Sequence, residues 1–299
     1  MSFFSRTLML RPAATWRDLL ELTKPRVVLL MLLTSLIGML LARSDVPPWE
    51  VVLLGNLGIG LVAGSAAVIN HVVDQQIDRI MLRTRARPVA TGRVRPAEAL
   101  IFAFILGVSG TTLLLLQINA LTAWLTVASL VGYAGVYTML LKRTTPQNIV
   151  IGGLAGAMPP LLGWTAITGQ IDAQALLLVL IIFAWTPPHF WALAICRKEE
   201  YARAGIPMLP VTHGNRYTEI HIVIYTAILL LASILPFFSG LFGWLYLSVT
   251  MMLGGRFMQL SLRLLRDDLS TTAMATFRYS IQYLMALFLV MLVDHYLPG

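Results

Sequence analysis

Nine apolar runs divide the chain, at about residues 27–42, 51–72, 98–116, 120–141, 149–168, 174–195, 220–239, 242–262 and 277–296. None alternates with the period of two that an outer-membrane strand requires, and each approaches the roughly 20 residues of one membrane-crossing helix. In hydrocarbon a backbone must satisfy its own hydrogen bonds, which a helix does. The pattern predicts an all-α polytopic membrane protein, with nine transmembrane helices in a bundle.

The polar segments are unequal. With the N-terminus inside, 20 of the 22 lysines and arginines fall on inside segments. Arg43 lies outside, and Arg278 sits at the inside edge of the last run. That asymmetry predicts a cytoplasmic N-terminus and a periplasmic C-terminus. It also accounts for the net charge of +8 without a nucleic-acid partner, and none is expected. Charged residues make up 12% of the 299 and hydrophobic ones 58%, against about 25% charged in a soluble domain. A water-exposed globular surface is excluded. The single cysteine, Cys196, has no intrachain partner, so no disulfide is expected. Arg6, Arg11, Arg17 and Lys24 interrupt the first 25 residues, which therefore do not read as a cleavable signal. The organisation expected is a cytoplasmic segment, 1–23, ahead of one domain, 24–299. Two long inside loops, 73–97 and 196–219, lie about 120 residues apart, each after an even-numbered run, which suggests four-helix pseudo-repeats over about 24–142 and 147–266. Loops of that length in a compact protein are uncommon unless they carry function.

The first loop opens on Asn70, Asp74 and Asp78, spaced i, i+4, i+8. At about 100° per residue they cover about 80° of one helix face. Stacked oxygen ligands suit a hard cation such as Mg²⁺, which commonly binds through one or two carboxylates plus substrate phosphates. Acidic groups at a membrane boundary are costly and point to function. Arg79, Arg83, Arg85 and Arg87 follow, and guanidinium forks match phosphate oxygens. Arg83 and Arg87 are the candidates for a diphosphate, while Arg93 and Arg95 read as lipid-facing. A second cluster, Arg197, Lys198, Glu199, Glu200 and Tyr201, allows two readings: a second metal with a phosphate clamp through Arg197 or Lys198, or a solvated mixed-charge turn. Lys142, Arg143 and Asn148 likewise read either as a helix-end anchor or as diphosphate contacts. The sixth run holds Trp185-Thr-Pro-Pro-His189-Phe-Trp191, where the prolines are expected to break or kink the helix. Tyr133, Tyr137, Trp164 and Trp191 are candidates to line a central apolar cavity, and aromatic faces stabilise cations. His71, beside Asn70, is open to either a structural or a functional role.

These motifs resemble the UbiA-type intramembrane prenyltransferases, and within them the haem-farnesylating branch. The resemblance rests on Asn70-His-Val-Val-Asp74-Gln-Gln-Ile-Asp78 with its arginines, Leu22-Thr-Lys24-Pro25-Arg26, Thr145-Pro146-Gln-Asn148, Trp185-Thr-Pro-Pro-His189, Ala204-Gly-Ile-Pro207 and Phe277-Arg278-Tyr279-Ser280, over roughly residues 20–295. It implies farnesyl diphosphate as donor, haem B as acceptor and Mg²⁺ as cofactor on Asn70, Asp74 and Asp78. The product implied carries a hydroxyethylfarnesyl group formed at the 2-vinyl with addition of water, and diphosphate is released. It further implies residence in the cell inner membrane, an active site on the cytoplasmic side and His189 as a haem contact. A haem A synthase or terminal oxidase assembly is the partner it suggests beyond the lipid bilayer. Many relatives carry a second aspartate motif where this chain reads Arg197-Lys-Glu-Glu200-Tyr201, so a second metal is not implied. Competing expectations are an aromatic quinone precursor as acceptor, a non-catalytic haem carrier, or a transporter of an anionic solute.

Overall fold

The computed structural model describes residues 14–266 and 269–297. Arg6 and Arg11 lie outside the described residues, as does most of the expected segment 1–23. All regular structure among the described residues is helical. The long helices are α1 Pro25–Leu41, α2 Trp49–Val73, α3 Pro96–Gln117, α4 Ala120–Thr144, α5 Asn148–Thr168, α6 Ala173–Cys196, α7 Gly214–Phe238, α8 Trp244–Arg263 and α9 Leu269–Tyr296. Seven of them, α2 to α7 and α9, are long and apolar enough to cross a membrane. The 17-residue α1 joins them only when taken with the short helix Trp16–Leu22, from which it bends by 52°. The apolar run of α8 is broken by Arg256 and Gln259, which lowers its hydropathy below that of its neighbours.

Local chemistry sets the ends. Proline opens α1 and α3, where a missing N–H costs no helical bond. The Asn119 side chain accepts from Thr122 N at 2.8 Å to start α4. Leu29, Phe104, Leu116, Trp244 and Leu289 point outward, as a lipid-facing surface requires. Inside, Leu41, Leu161, Trp164, Leu178, Tyr246, Phe257, Tyr283 and Phe288 join α1, α5, α6, α8 and α9 into one core. A second core, with Ile77, Ile149, Trp191, Ile195, Met208, Leu209 and Ile222, lies under the charged end of the bundle.

At the crossing of α1 and α5 the two backbones touch. A Cβ on Gly163 overlaps the Ser35 carbonyl, and one on Gly38 overlaps the Pro160 carbonyl. With no hydrophobic drive between helices in lipid, such close packing of small residues is what holds them together.

Two local expectations are corrected, and one local feature is new. Pro187 and Pro188 do not break α6, which runs unbroken from Ala173 to Cys196. Both prolines are buried, α7 and α9 flank the helix, and the Thr186 hydroxyl bonds the Ile182 carbonyl at 2.8 Å. Arg93 does not face lipid: it pairs with Asp18 and donates to the Ala86 carbonyl at 2.8 Å, pinning the helix Trp16–Leu22 to the loop after α2. Lastly, the second half of α4, Val131–Leu141, is wound as a π-helix, with i to i+5 bonding.

Gly163→Val tests the crossing. It is expected to cost about 3 kcal/mol, because backbone cannot move aside as a side chain can. Thermal unfolding in detergent should show the loss, and a melting temperature equal to that of the unsubstituted protein would contradict the packing described.

Candidate active site

The loop predicted to carry chemistry grows out of the end of α2. Asp74 N donates to the Asn70 carbonyl at 2.9 Å and Asp78 N to the Asp74 carbonyl at 2.8 Å, so the helical track continues into the short helix Gln75–Ile80. The three predicted oxygen ligands thus share one face. All are buried: Asn70 is 3% exposed, Asp74 1% and Asp78 3%.

Buried carboxylates need counter-charges, and three cations provide them. Lys142 Nζ stands 2.5 Å from Asp74 Oδ2, and a single Arg87 nitrogen donates to both Asp78 oxygens at 2.8 Å. Lys24 donates to Asn70 Oδ1. The Asn70 amide then donates to Asp74 Oδ2 at 2.8 Å and to Thr138 Oγ1 at 3.2 Å.

Two backbone irregularities deliver these groups. Lys24, in the break before α1, has φ 51, the one left-handed non-glycine residue among those described. That conformation costs about 1–2 kcal/mol, and strain of this kind gathers at functional sites. The π-turns of α4 place the Thr138 hydroxyl on the Tyr133 carbonyl at 2.8 Å and end at Lys142. Wide turns of this sort recur at functional sites.

The structure therefore brings together Asn70, Asp74, Asp78, Arg87 and Lys142, and adds Lys24 and Thr138. Lys24 was not distinguishable in sequence from a positive-inside anchor, and Thr138 carries no local signal. Arg83 stays exposed on the following turn. Arg143 donates to the Val73 carbonyl at 2.8 Å, the anchoring use of a basic residue at a helix C-terminus. In the second cluster Arg197 lies 3.8 Å from Glu200, whose Oε2 accepts no hydrogen bond among the described residues. Lys198 is half-buried at the head of the same turn. Burial pushes the Tyr201 hydroxyl up, against the opposing charges of Arg83 and Arg197.

The aromatic candidates divide. Tyr133 and Tyr137 stack at 5.6 Å on the π-helical stretch, and Tyr137 fills the space a side chain at Gly152 would need. His189 is sandwiched between Trp185 and Phe277, at 4.2 and 4.7 Å, with Nδ1 2.6 Å from Ser280 Oγ. Trp191 is wholly buried against Tyr225 of α7. Trp164 lies apart from the cluster, about 24 Å along α5 from Asn148 at 1.5 Å per residue. Its indole donates to Asp172 at 2.6 Å in the loop beyond α5, at the end remote from the carboxylates.

For Mg²⁺ the donor chemistry fits. Asp74 Oδ1 is buried without a hydrogen-bond partner among the described residues, and amide and carboxylate oxygens are the ligands this cation takes. Among the described residues no three His, Cys, Asp or Glu side chains come together as a cage. An ion here draws the rest of its shell from water and phosphate oxygens.

A helical bundle with acidic ligands on one helix face and lysine and arginine around them marks the class, and the chain belongs to the UbiA prenyltransferase family, whose sequence profile matches residues 31–290. A relative from Marinobacter nauticus named protoheme IX farnesyltransferase is 70% identical over 282 residues, covering 94% of this chain and 93% of that one. Among solved structures, one described as a digeranylgeranylglyceryl phosphate synthase has a TM-score of 0.80 at 21% identity, over 94% of this chain and 98% of that one. A UbiA homolog from Archaeoglobus fulgidus bound to GPP and Mg²⁺ has a TM-score of 0.62 at 15% identity, over 92% and 99%. These two share the fold.

Trp164→Phe checks the division of the aromatics. Losing a hydrogen bond to a carboxylate costs about 2 kcal/mol, so the melting temperature should fall. The affinity for inorganic diphosphate with Mg²⁺, measured by calorimetry, should not change; a loss of affinity would return Trp164 to the site.

Proposed function

We propose that this chain farnesylates haem B, taking the prenyl group from farnesyl diphosphate. The observation that carries the reading is the buried Asn70, Asp74 and Asp78 face, held against Lys24, Lys142 and Arg87. Supporting it is the chain's 70% identity to a relative named for that reaction.

Asn70, Asp74 and Asp78 would hold Mg²⁺, which when bound offsets the negative charge of the diphosphate. Lys142 and Arg87 turn from the carboxylates toward phosphate oxygens, an exchange of one anion for another, and Lys24 turns there from the Asn70 amide oxygen. Placed there in a dry site, they stabilise the charge that grows on the leaving group. The carbon–oxygen bond of the farnesyl diphosphate breaks, and its electron pair leaves with diphosphate. The π electrons of the haem 2-vinyl group form the new carbon–carbon bond to the farnesyl cation. Water adds to the resulting cation and gives up a proton, leaving a hydroxyethylfarnesyl group. No protein nucleophile takes part. Excluding water from the first cation is the task of the apolar bundle, with Tyr133 and Tyr137 as the aromatic faces closest in sequence to Lys142. His189 is the candidate haem contact, and Arg83, Arg197 and Lys198 are further candidates for phosphate.

The same reading assigns α1 and α8 to the membrane with the other seven helices, giving nine crossings around a central cavity. It sets the N-terminus in the cytoplasm and the C-terminus in the periplasm, and it puts the active site on the cytoplasmic face of the inner membrane, as the lysine and arginine asymmetry favours. A haem A synthase or oxidase assembly is the consumer such a product calls for.

The test incubates purified protein in detergent with haem B, farnesyl diphosphate and Mg²⁺, and weighs the extracted haem. A mass gain of one farnesyl group plus one water is expected, abolished by EDTA. Asp74→Asn and Asp78→Asn should each lower turnover by about a hundredfold or more, as loss of a transition-state contact does, while haem B binding persists. Unchanged haem with folded wild-type protein would overturn the reading in favour of an aromatic acceptor or a haem carrier.

A further inference from the structure

His71 follows Asn70 directly and is 2% exposed. At about 100° per residue it lies about 60° round the helix from Asp74 and about 20° from Asp78, just beyond the Asp78 edge of the sector that carries the oxygen ligands. Among the described residues neither of its ring nitrogens has a hydrogen-bond partner. Buried polar groups are nearly always satisfied, and each exception calls for an explanation.

The groups around it make the exception sharper. Lys24 sits on the neighbouring Asn70 and Arg87 on Asp78, about 20° round the helix from His71, and both residues are donors with no acceptor atom to offer its N–H. Either neutral tautomer of imidazole carries one such N–H. Three donors thus stand beside two carboxylates: Arg87 engages both Asp78 oxygens and Lys142 engages Asp74 Oδ2, while Asp74 Oδ1, the remaining acceptor, is the oxygen offered to Mg²⁺. What satisfies all three is an anion with several acceptor oxygens.

We propose that His71 donates a ring N–H to a non-bridging oxygen of the prenyl diphosphate, as the neutral member of a donor set with Lys24 and Arg87. The inference rests on the prenyl-transfer reading above and extends it to a residue outside the Asn-Asp-Asp spacing. No proton is transferred. The hydrogen bond strengthens as negative charge gathers on the leaving group, and it adds direction to a site whose lysine acts as a point charge.

The test is calorimetric binding of inorganic diphosphate with Mg²⁺ to the full-length protein in detergent. His71→Leu should weaken binding about 10- to 100-fold, the range for a lost hydrogen bond to a charged group. His71→Asn or His71→Gln, which keep an N–H donor, should recover most of it. Haem B affinity, read from the Soret band, should be the same in all. Undiminished diphosphate binding by His71→Leu overturns the inference. Should that variant fail to fold, ¹⁵N-histidine-labelled wild-type protein decides: the ring N–H signal missing from His71→Asn shifts on adding diphosphate, or the inference is wrong. Wild-type protein that binds haem B but no diphosphate overturns the prenyl-transfer reading and this inference with it. Loss confined to His71→Leu is the expected result, and equal loss in His71→Asn and His71→Gln overturns the inference while leaving the prenyl-transfer reading in place.

Discussion

Two carboxylates buried at the end of α2 set the terms for everything around them. Asp74 and Asp78 are sealed from water, and a sealed carboxylate without a partner costs several kcal/mol. The fold meets that demand from three directions: Lys24 at the entry to α1, Arg87 from the loop after α2, and Lys142 from the end of α4. Two of the three cations are placed by an irregularity, a left-handed residue at Lys24 and a π-wound stretch before Lys142. The straight helices elsewhere make these departures possible, because the core that joins α1, α5, α6, α8 and α9 does not depend on them.

The arrangement is poised for exchange. Every basic group that neutralises a carboxylate here can also bind a phosphate oxygen, and every oxygen it releases suits a hard cation. On the proposed function, a metal and an anionic substrate would be complementary replacements for contacts the protein already makes with itself. The close crossing of α1 and α5 through Gly38 and Gly163 gives the exchange a stiff frame.

What could be read from sequence was local. Asn70, Asp74 and Asp78 recur at helical spacing, so their shared face follows from the geometry of one turn. Helical class followed from apolar runs, and seven of the nine runs have the length and hydropathy of a crossing. What stayed hidden depends on distant partners: Lys24 meets Asn70 across 46 residues, Asn70 meets Thr138 across 68, and Arg93 meets Asp18 across 75. The π-winding of Val131–Leu141 is invisible because its residues are as apolar as those of any membrane helix. Local rules also misled at Pro187 and Pro188, where flanking helices and the Thr186 hydroxyl keep α6 whole. That the Trp164 indole would bond Asp172, at the end of α5 remote from the carboxylates, was not legible either.

The π-helix has a consequence for how the chain is made. Synthesis runs from the N-terminus, so Asp74 and Asp78 emerge on α2 well before Lys142 arrives at the end of α4. Arg87 follows its aspartate within nine residues, but Asp74 waits for 68. During that interval Asp74 lacks the one cation that pairs with it directly, and that ion pair closes only when the end of the fourth helix is in place. The centre is therefore complete only when the first four helices are together, because its ligands come from the second helix and one of its counter-charges from the end of the fourth.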